Sequence, residues 1–244
     1  MTTGSQTANP LHVYSAQQST MTIAPQRTTQ QPNVDEDLHR IPTVIMRGGT
    51  SKAVFVRGTD LPADPDRREE AILRLFGSPH PRQIDGLGGA DPLTSKLAII
   101  DVADDEDDAD ILYTFGQVSI SEPAVDYTLN CGNISSAVGY YAIEEGLIEA
   151  TEPVTRVTIR NTNNDSLLTN EIKVRDGQAR VRGDFSISGV NRTGARVNVG
   201  FMYPGGEVTG ETFPLGVQHE ITTAAGKTVP VTVTDVSLVR PPEE

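Results

Sequence analysis

The segment "NCGNISSAVGYYAIEEGL", which begins at Asn130, constrains the fold more than any other. Ile134, Ala137, Val138, Tyr141 and Ala142 recur at i, i+3, i+4, i+7 and i+8, and Gly146 closes the run, so it reads as a helix with an apolar face. Gly139 and the small residues Ser135, Ser136 and Ala137 let strands approach closely. The helix is therefore expected to be central and wrapped by sheet. After Pro153 the pattern is β throughout. "EIKVRDGQARVRG" reads as a hairpin in which Asp176-Gly177 forms a two-residue type I′ turn, pairing Val174 with Ala179 and Ile172 with Val181. "RVNVGFMY" and "VPVTVTDVSLV" are further strands, and no second helix of comparable quality follows. The consequence is an α+β fold, a curved and mostly antiparallel sheet around one helix.

Upstream, "PTVIMRGG" and "KAVFVRG" read as two strands separated by a glycine break. "ADPDRREEAILRLFGSP" is a helix: Asp64 can cap it, Pro65 suits its first turn, and Gly77 and Pro79 stop it. The apolar run "LAII" suggests a strand covered on both faces. In "ILYTFGQVSI" the alternation slips by one at Gly116, where a bulge is expected.

A chain of 244 residues can bury one substantial core or two modest ones. Its net charge of −13 argues against nucleic acid as a partner, and no apolar run approaches the length of a membrane span. Cys131 is the only cysteine, which excludes an internal disulfide and two-cysteine zinc patterns. The four histidines are scattered, so no metal site is expected. From Thr2 to Asn33 the chain is rich in Thr, Gln, Ser and Pro, has no acid, and carries Arg27 as its only Lys or Arg. Residues 1–40 are accordingly expected to be a disordered extension. A cytoplasmic location is expected. Lack of acids is also a transit-peptide feature, which makes a mitochondrial location the second expectation, weakly supported by one arginine.

Chemistry concentrates in three places. Lys96 follows Thr94 and Ser95 and precedes the buried run. Taken by itself it is either a general base at the mouth of a dry core or a surface lysine at a strand end. Lys52 stands in the same relation to Thr50 and Ser51, and Gly48 and Gly49 can shape an anion-binding loop beside Arg47. The order Thr-Ser-Lys does not match a phosphate-binding loop, which runs Gly-Lys-Ser/Thr. Cys131 directly precedes the central helix. There it is either a thiol poised for proton exchange by the helix N-terminus, or a small buried residue beside a capping Asn130 or Asn133. Gly132 would let a ligand reach the backbone N–H groups.

In order and spacing, "MRGGTSKAVFV", "QIDGLGGADPLTSKLAII" and "NCGNISSAVGYYAIEEGL" resemble the PrpF family of allylic isomerases, relatives of diaminopimelate epimerase. The resemblance runs from about Ile41 to the C-terminus and includes "VTIRNTNN" and "GDFSISGVNRTGARVNVGFMYPGGEVTG". It implies a diaminopimelate epimerase-like fold and an isomerase without cofactor or metal. The implied substrates are small unsaturated di- or tricarboxylates such as 2-methylaconitate, 4-oxalomesaconate, aconitate or methylitaconate. The implied base is Lys96, and the implied active-site cysteine is Cys131, as partner acid or substrate-positioning group. Arg47, Gly48, Gly49, Thr50, Ser51 and Lys52 are the implied anion-binding loop, with Thr94, Ser95, Gly132 and Asn133 as further substrate-binding residues. The family's two-domain plan puts a first domain at 41–193 and the start of an incomplete second at 194–244. From that plan follow two further expectations: self-association through uncovered strands, and, as the alternative function, a non-catalytic remnant that binds polycarboxylates or a partner protein.

Overall fold

The computed structural model describes residues 40–104, 106–202, 218–222 and 226–232, with the backbone of 12–14 and 20–22. In its first compact unit, Met1–Met202, one sheet contains β1 (His12–Tyr14), β2 (Thr20–Thr22), β3 (Val44–Gly48), β4 (Ser51–Arg57), β5 (Lys96–Val102), β6 (Ile111–Val118), β7 (Val125–Asp126), β8 (Val154–Asn161), β9 (Ser166–Arg175), β10 (Gln178–Ala179) and β11 (Val197–Phe201). The order is β1-β2-β3-β4-β5-β6-β8-β9-β10, with β11 also on β9 and β7 on β6. Two neighbouring pairs are parallel, β4 with β5 and β6 with β8. Helix α1 (Pro65–Phe76) crosses over in the first, and α2 (Gly132–Glu144) in the second. The fold is α+β.

Every residue of α2 from Ile134 to Ile143 is buried, and strands from β3 to β11 touch it. The sheet thus curls around the helix, as its small residues suggest. A Cβ on Gly139 would stand 2.9 Å from Ile172 Cδ1 and 3.0 Å from Asn170 Cβ, so glycine is what lets β9 come this close. Tyr141 stacks on Phe55 with ring centroids 5.3 Å apart. On the sheet's other face, Ile72 and Phe76 of α1 join Val54, Val56, Leu97, Ile99 and Val118 in a second core. The start and stop of α1 follow the sequence: Asp64 accepts the Arg67 N–H at 3.0 Å, Pro65 opens the first turn, and Gly77 ends it at φ 70°.

Two packed faces explain a correction. No bulge occurs at Gly116, because β6 pairs one-for-one with β5 from Val102↔Ile111 to Lys96↔Gln117. Ile111, Tyr113 and Phe115 belong to the α2 core, whereas Val118 belongs to the α1 core. The apolar phase changes because burial changes side.

The hairpin turn is as expected, with Asp176 at φ 55° and Gly177 at φ 72° and Ala179 opposite Val174. Ile172, however, pairs with Val197 of β11 rather than with Val181. The chain leaves β9 after Ala179, and Val181 O instead accepts the Ala195 N–H at 2.9 Å. Through β11, which pairs with β9, the first compact unit extends to Met202. Of the apolar residues of β11, Val197 is buried, whereas Phe201 is exposed.

Within 1–40, β1 pairs antiparallel with β2, and β2 meets β3 at Met21↔Ile45. The other residues of 1–39 lie outside the described set. In the second unit, Tyr203–Glu244, β12 (Gln218–Thr222) and β13 (Thr228–Thr232) form an antiparallel pair. The remainder of "VPVTVTDVSLV" lies outside the described residues.

Candidate active site

Gly48 and Gly49 turn the chain between β3 and β4, with Gly49 at φ 53°. They also admit the start of α2. A Cβ on Gly48 would lie 2.2 Å from Asn133 O, and one on Gly49 would lie 2.2 Å from Asn133 Oδ1. Asn133 Nδ2 donates to Thr50 Oγ1 at 3.1 Å and to Ser51 Oγ at 3.4 Å.

β4 and β5 run parallel with Ala53 beside Lys96. The two Thr-Ser-Lys tripeptides are therefore neighbours displaced by one residue. Side chains alternate faces along a strand, and a one-residue displacement separates the two lysines. Ala53 and Ala98 lie in the α2 core, and Val54 and Leu97 in the α1 core. By that alternation Ser51 and Lys96 face α2, whereas Lys52 and Ser95 face the other way. Arg47, opposite Lys52 on β3, shares its side.

The residues on that other side are engaged by the fold. Ser95 is fully buried, accepts from Gln83 Nε2 at 2.8 Å and donates to Val118 O at 2.9 Å. Thr94 donates to Asp91 O at 3.2 Å. A Cβ on Gly89 would lie 2.1 Å from Thr94 Oγ1 and 3.2 Å from Lys52 Nζ, so Lys52 ends against the second glycine pair. Arg47 donates from Nη1 to Gly49 O, and desolvation lowers its pKa from the ordinary guanidinium value. Of the expected site residues, Gly48, Gly49, Thr50, Ser51, Lys96, Cys131, Gly132 and Asn133 gather at the α2 side of the strand entrances. Arg47, Lys52, Thr94 and Ser95 lie behind.

Lys96 is 8% exposed. Its Nζ donates to Gln117 Oε1 at 2.7 Å and lies 5.0 Å from the Phe115 ring centroid. Gln117 escaped the sequence reading. Its signal is a polar side chain continuing the inward phase of residues 111, 113 and 115.

Cys131 is the N-cap of α2, at φ −133°, and no side chain caps the helix. The expected asparagine caps do other work. Asn130 Oδ1 accepts the Cys131 N–H at 2.7 Å and Asn161 Nδ2 at 2.8 Å. Asn163 bonds both the N–H and the carbonyl of Phe115 and also the Tyr127 carbonyl, each at 2.7 Å. Asn161 and Asn163, two of the three asparagines of "RNTNN", thereby fasten Tyr127 and Asn130 to the ends of β6 and β8. The sequence signal was a cluster of amides directly after a strand, a residue type with both donors and acceptors to offer.

The uncapped first turn leaves backbone N–H groups pointing out of the helix. Gly132 is exposed, which keeps the approach to them open. In the α2 core lies Tyr113, whose buried hydroxyl has no hydrogen-bond partner among the described residues. Burial, and second the charge of Cys131, push its phenol well above the ordinary tyrosine value. Tyr113 and Cys131 are thus within electrostatic reach. The assembly offers an amine, a thiol and helix N–H groups at one end of α2, a combination suited to moving a proton beside an anion.

Residues 38–240 match the family model described as PrpF protein. A 3-methylitaconate isomerase from Eubacterium barkeri is 51% identical over 201 residues, which are 82% of this chain and 53% of that protein. A 4-oxalomesaconate tautomerase from Pseudomonas putida is 45% identical over 177 residues, 72% of this chain and 49% of that protein. The crystal structure of a methylitaconate-delta-isomerase matches with a TM-score of 0.74 and 53% identity, covering 79% of this chain and 49% of that one. The chain spans about half the length of the curated relatives it matches. With the family model covering most of its length and motifs gathered as described, the chain belongs to the PrpF family.

Proposed function

We propose that this chain takes part in a cofactor-independent isomerisation that moves a double bond, or changes its cis/trans geometry, in a small unsaturated di- or tricarboxylate. The observation that carries the reading is Lys96: a buried amine held at 2.7 Å from a neutral amide oxygen, on the sheet face that also meets the Cys131 end of α2. The names of the relatives agree with it.

The neutral Lys96 amine takes a proton from an allylic carbon flanked by carboxylates. The electron pair left behind spreads over the allyl system and a carboxylate as an extended enolate. A proton returns to a different carbon when the double bond moves, or to the same carbon after rotation about the delocalised bond when its geometry changes, so no redox partner is needed. The first-turn N–H groups of α2, with the Thr50 and Ser51 hydroxyls, stabilise the carboxylate as charge develops. Cys131 is the partner acid or positions the substrate. Arg47 and Lys52 act from behind the loop, through the field of their charges rather than by contact with the reacting carbons.

The test is ultraviolet absorbance of methylitaconate, 2-methylaconitate and 4-oxalomesaconate with purified protein. Lys96→Ala is expected to lower kcat by about a thousandfold or more, and Lys52→Ala to raise KM with kcat little changed. A Lys96→Ala protein with near-normal kcat would remove Lys96 as the base.

A further inference from the structure

We infer that Gln117 is a positioning residue: it fixes the direction of the Lys96 amine and presents it with an oxygen that carries no charge. The inference rests on the reading of Lys96 as the base. Lys96 and Gln117 are cross-strand partners on β5 and β6. The amide of Gln117 donates from Nε2 to Ser95 O at 2.9 Å and to Pro92 O at 3.2 Å. With both N–H groups taken by backbone carbonyls, Oε1 is the end turned to Lys96 Nζ, at 2.7 Å. A flipped amide would set N–H against the Lys96 N–H and oxygen against two carbonyls, so the backbone decides the orientation.

No other side chain of this length meets all three partners. Glutamate could accept from Lys96, but it has no donor for Ser95 O and Pro92 O, and its charge would favour the ammonium over the amine that a base needs. Methionine matches the length and supplies neither donor nor acceptor. The Phe115 ring, 5.0 Å from Nζ on the same face, supplies a weak attraction for the charged form. Of the charged or titratable groups on neighbouring elements, Lys52 of β4 is on the opposite face, Cys131 and Tyr113 are on the α2 side, and Asp126 is on β7. Arg57 of β4 and Asp101 of β5 stand at the far ends of their strands. Asp126 lies opposite Gln117, but its carboxylate accepts from the Thr128 N–H at 2.8 Å and hydroxyl at 2.6 Å. Gln117 is therefore the group that holds the amine.

The full chain has four lysines, Lys52, Lys96, Lys173 and Lys227, so 13Cε-lysine NMR can be assigned with single Lys→Arg variants. Gln117→Glu, which keeps an oxygen for Lys96 but has no donor for Ser95 O and Pro92 O, is expected to move the Lys96 Cε resonance while those of Lys173 and Lys227 stay in place. Gln117→Met is expected to collapse the Lys96 signal toward the shift of a freely rotating lysine. On methylitaconate, Gln117→Met should lower kcat about a hundredfold with KM within about twofold, a split that general loosening of the fold would not give. If the Lys96 resonance keeps its wild-type shift in both Gln117→Met and Gln117→Glu, the positioning role is overturned. The NMR arm decides this whether or not the chain turns over the probe. Turnover surviving in Lys96→Ala would instead remove the base assignment. Loss of turnover in Lys96→Ala with wild-type kcat in Gln117→Met would remove the role of Gln117 alone.

Discussion

At the entrance to β5, Lys96 turns to the α2 side of the sheet, where it meets one amide and one aromatic ring. At the entrance to β4, Lys52, preceded by the same Thr-Ser, turns to the opposite side and ends against Gly89 and Thr94. The serines show the reverse. Ser51 faces α2 and receives one long hydrogen bond from Asn133, whereas Ser95 is fully buried and bonded twice. Identical tripeptides acquire different environments because a parallel register offset by one residue puts them in opposite phase. On the α1 side polar groups are consumed in holding loops together. On the α2 side they are held by few contacts and remain directed at the helix terminus.

The glycine pairs ahead of the tripeptides give the largest test of this contrast. A Cβ on Gly48 meets the backbone carbonyl of Asn133 at 2.2 Å, and neither the β3–β4 turn nor the first turn of α2 can yield cheaply. Gly48→Ala is expected to lower stability by about 3 kcal/mol, read by denaturant midpoint. Gly89→Ala meets Thr94 Oγ1 at 2.1 Å and Thr94 Cβ at 2.5 Å; the hydroxyl can rotate and the Cβ moves only with its exposed loop, so the cost should be about 2 kcal/mol. Equal losses would mean that the two loops are locked alike and the contrast fails.

A smaller effect separates the serines. Ser95→Ala leaves Gln83 Nε2 and Val118 O short of a buried partner and should cost about 1.5 kcal/mol. Ser51→Ala gives up only the 3.4 Å contact from Asn133, and should stay within about 0.5 kcal/mol. A Ser51 loss larger than the Ser95 loss would show that the α2 side is the more tightly built one.

These differences mark how far the sequence could be read. Local signals transferred well: the Asp64 cap and Gly77 stop of α1, the Asp176-Gly177 turn, the two-sided burial of β5, and the small-residue surface of α2 each depend on neighbours in the chain. What was missed depends on partners far away. The faces of Lys52 and Lys96 follow from the β4–β5 register, which no local pattern contains. The phase change at Gly116 looks like a bulge until α1 is known to cover the second face. Val181 loses its expected partner because β11, some fifteen residues further on, takes that edge of β9. The asparagines before α2 were read as caps from proximity, while Asn161 and Asn163, thirty residues away, decide what Asn130 does.

The finest test falls on Tyr113, which lies on the α2 side with an unpartnered buried hydroxyl. Such a group costs about 1 kcal/mol or more when left without a bond, so Tyr113→Phe should be as stable as the parent or up to about 1 kcal/mol more stable at pH 7.5. The pH dependence has a definite sign. Tyrosine in the unfolded chain titrates near 10.0, whereas burial raises Tyr113 well above that in the fold. Above pH 10 the unfolded chain therefore releases a proton that the folded chain keeps, and stability falls as pH rises. Phenylalanine has no proton to release, so the Tm advantage of Tyr113→Phe should widen between pH 8 and about 10.5. Tyr127 is raised in the same direction, but both proteins carry it and the difference cancels. A Tyr113→Phe protein less stable than the parent by more than about 1 kcal/mol at pH 7.5 would mean that the hydroxyl is bonded. The α2 side would then be as fully engaged as the α1 side, and the distinction between the two faces would have to rest on Lys96 alone.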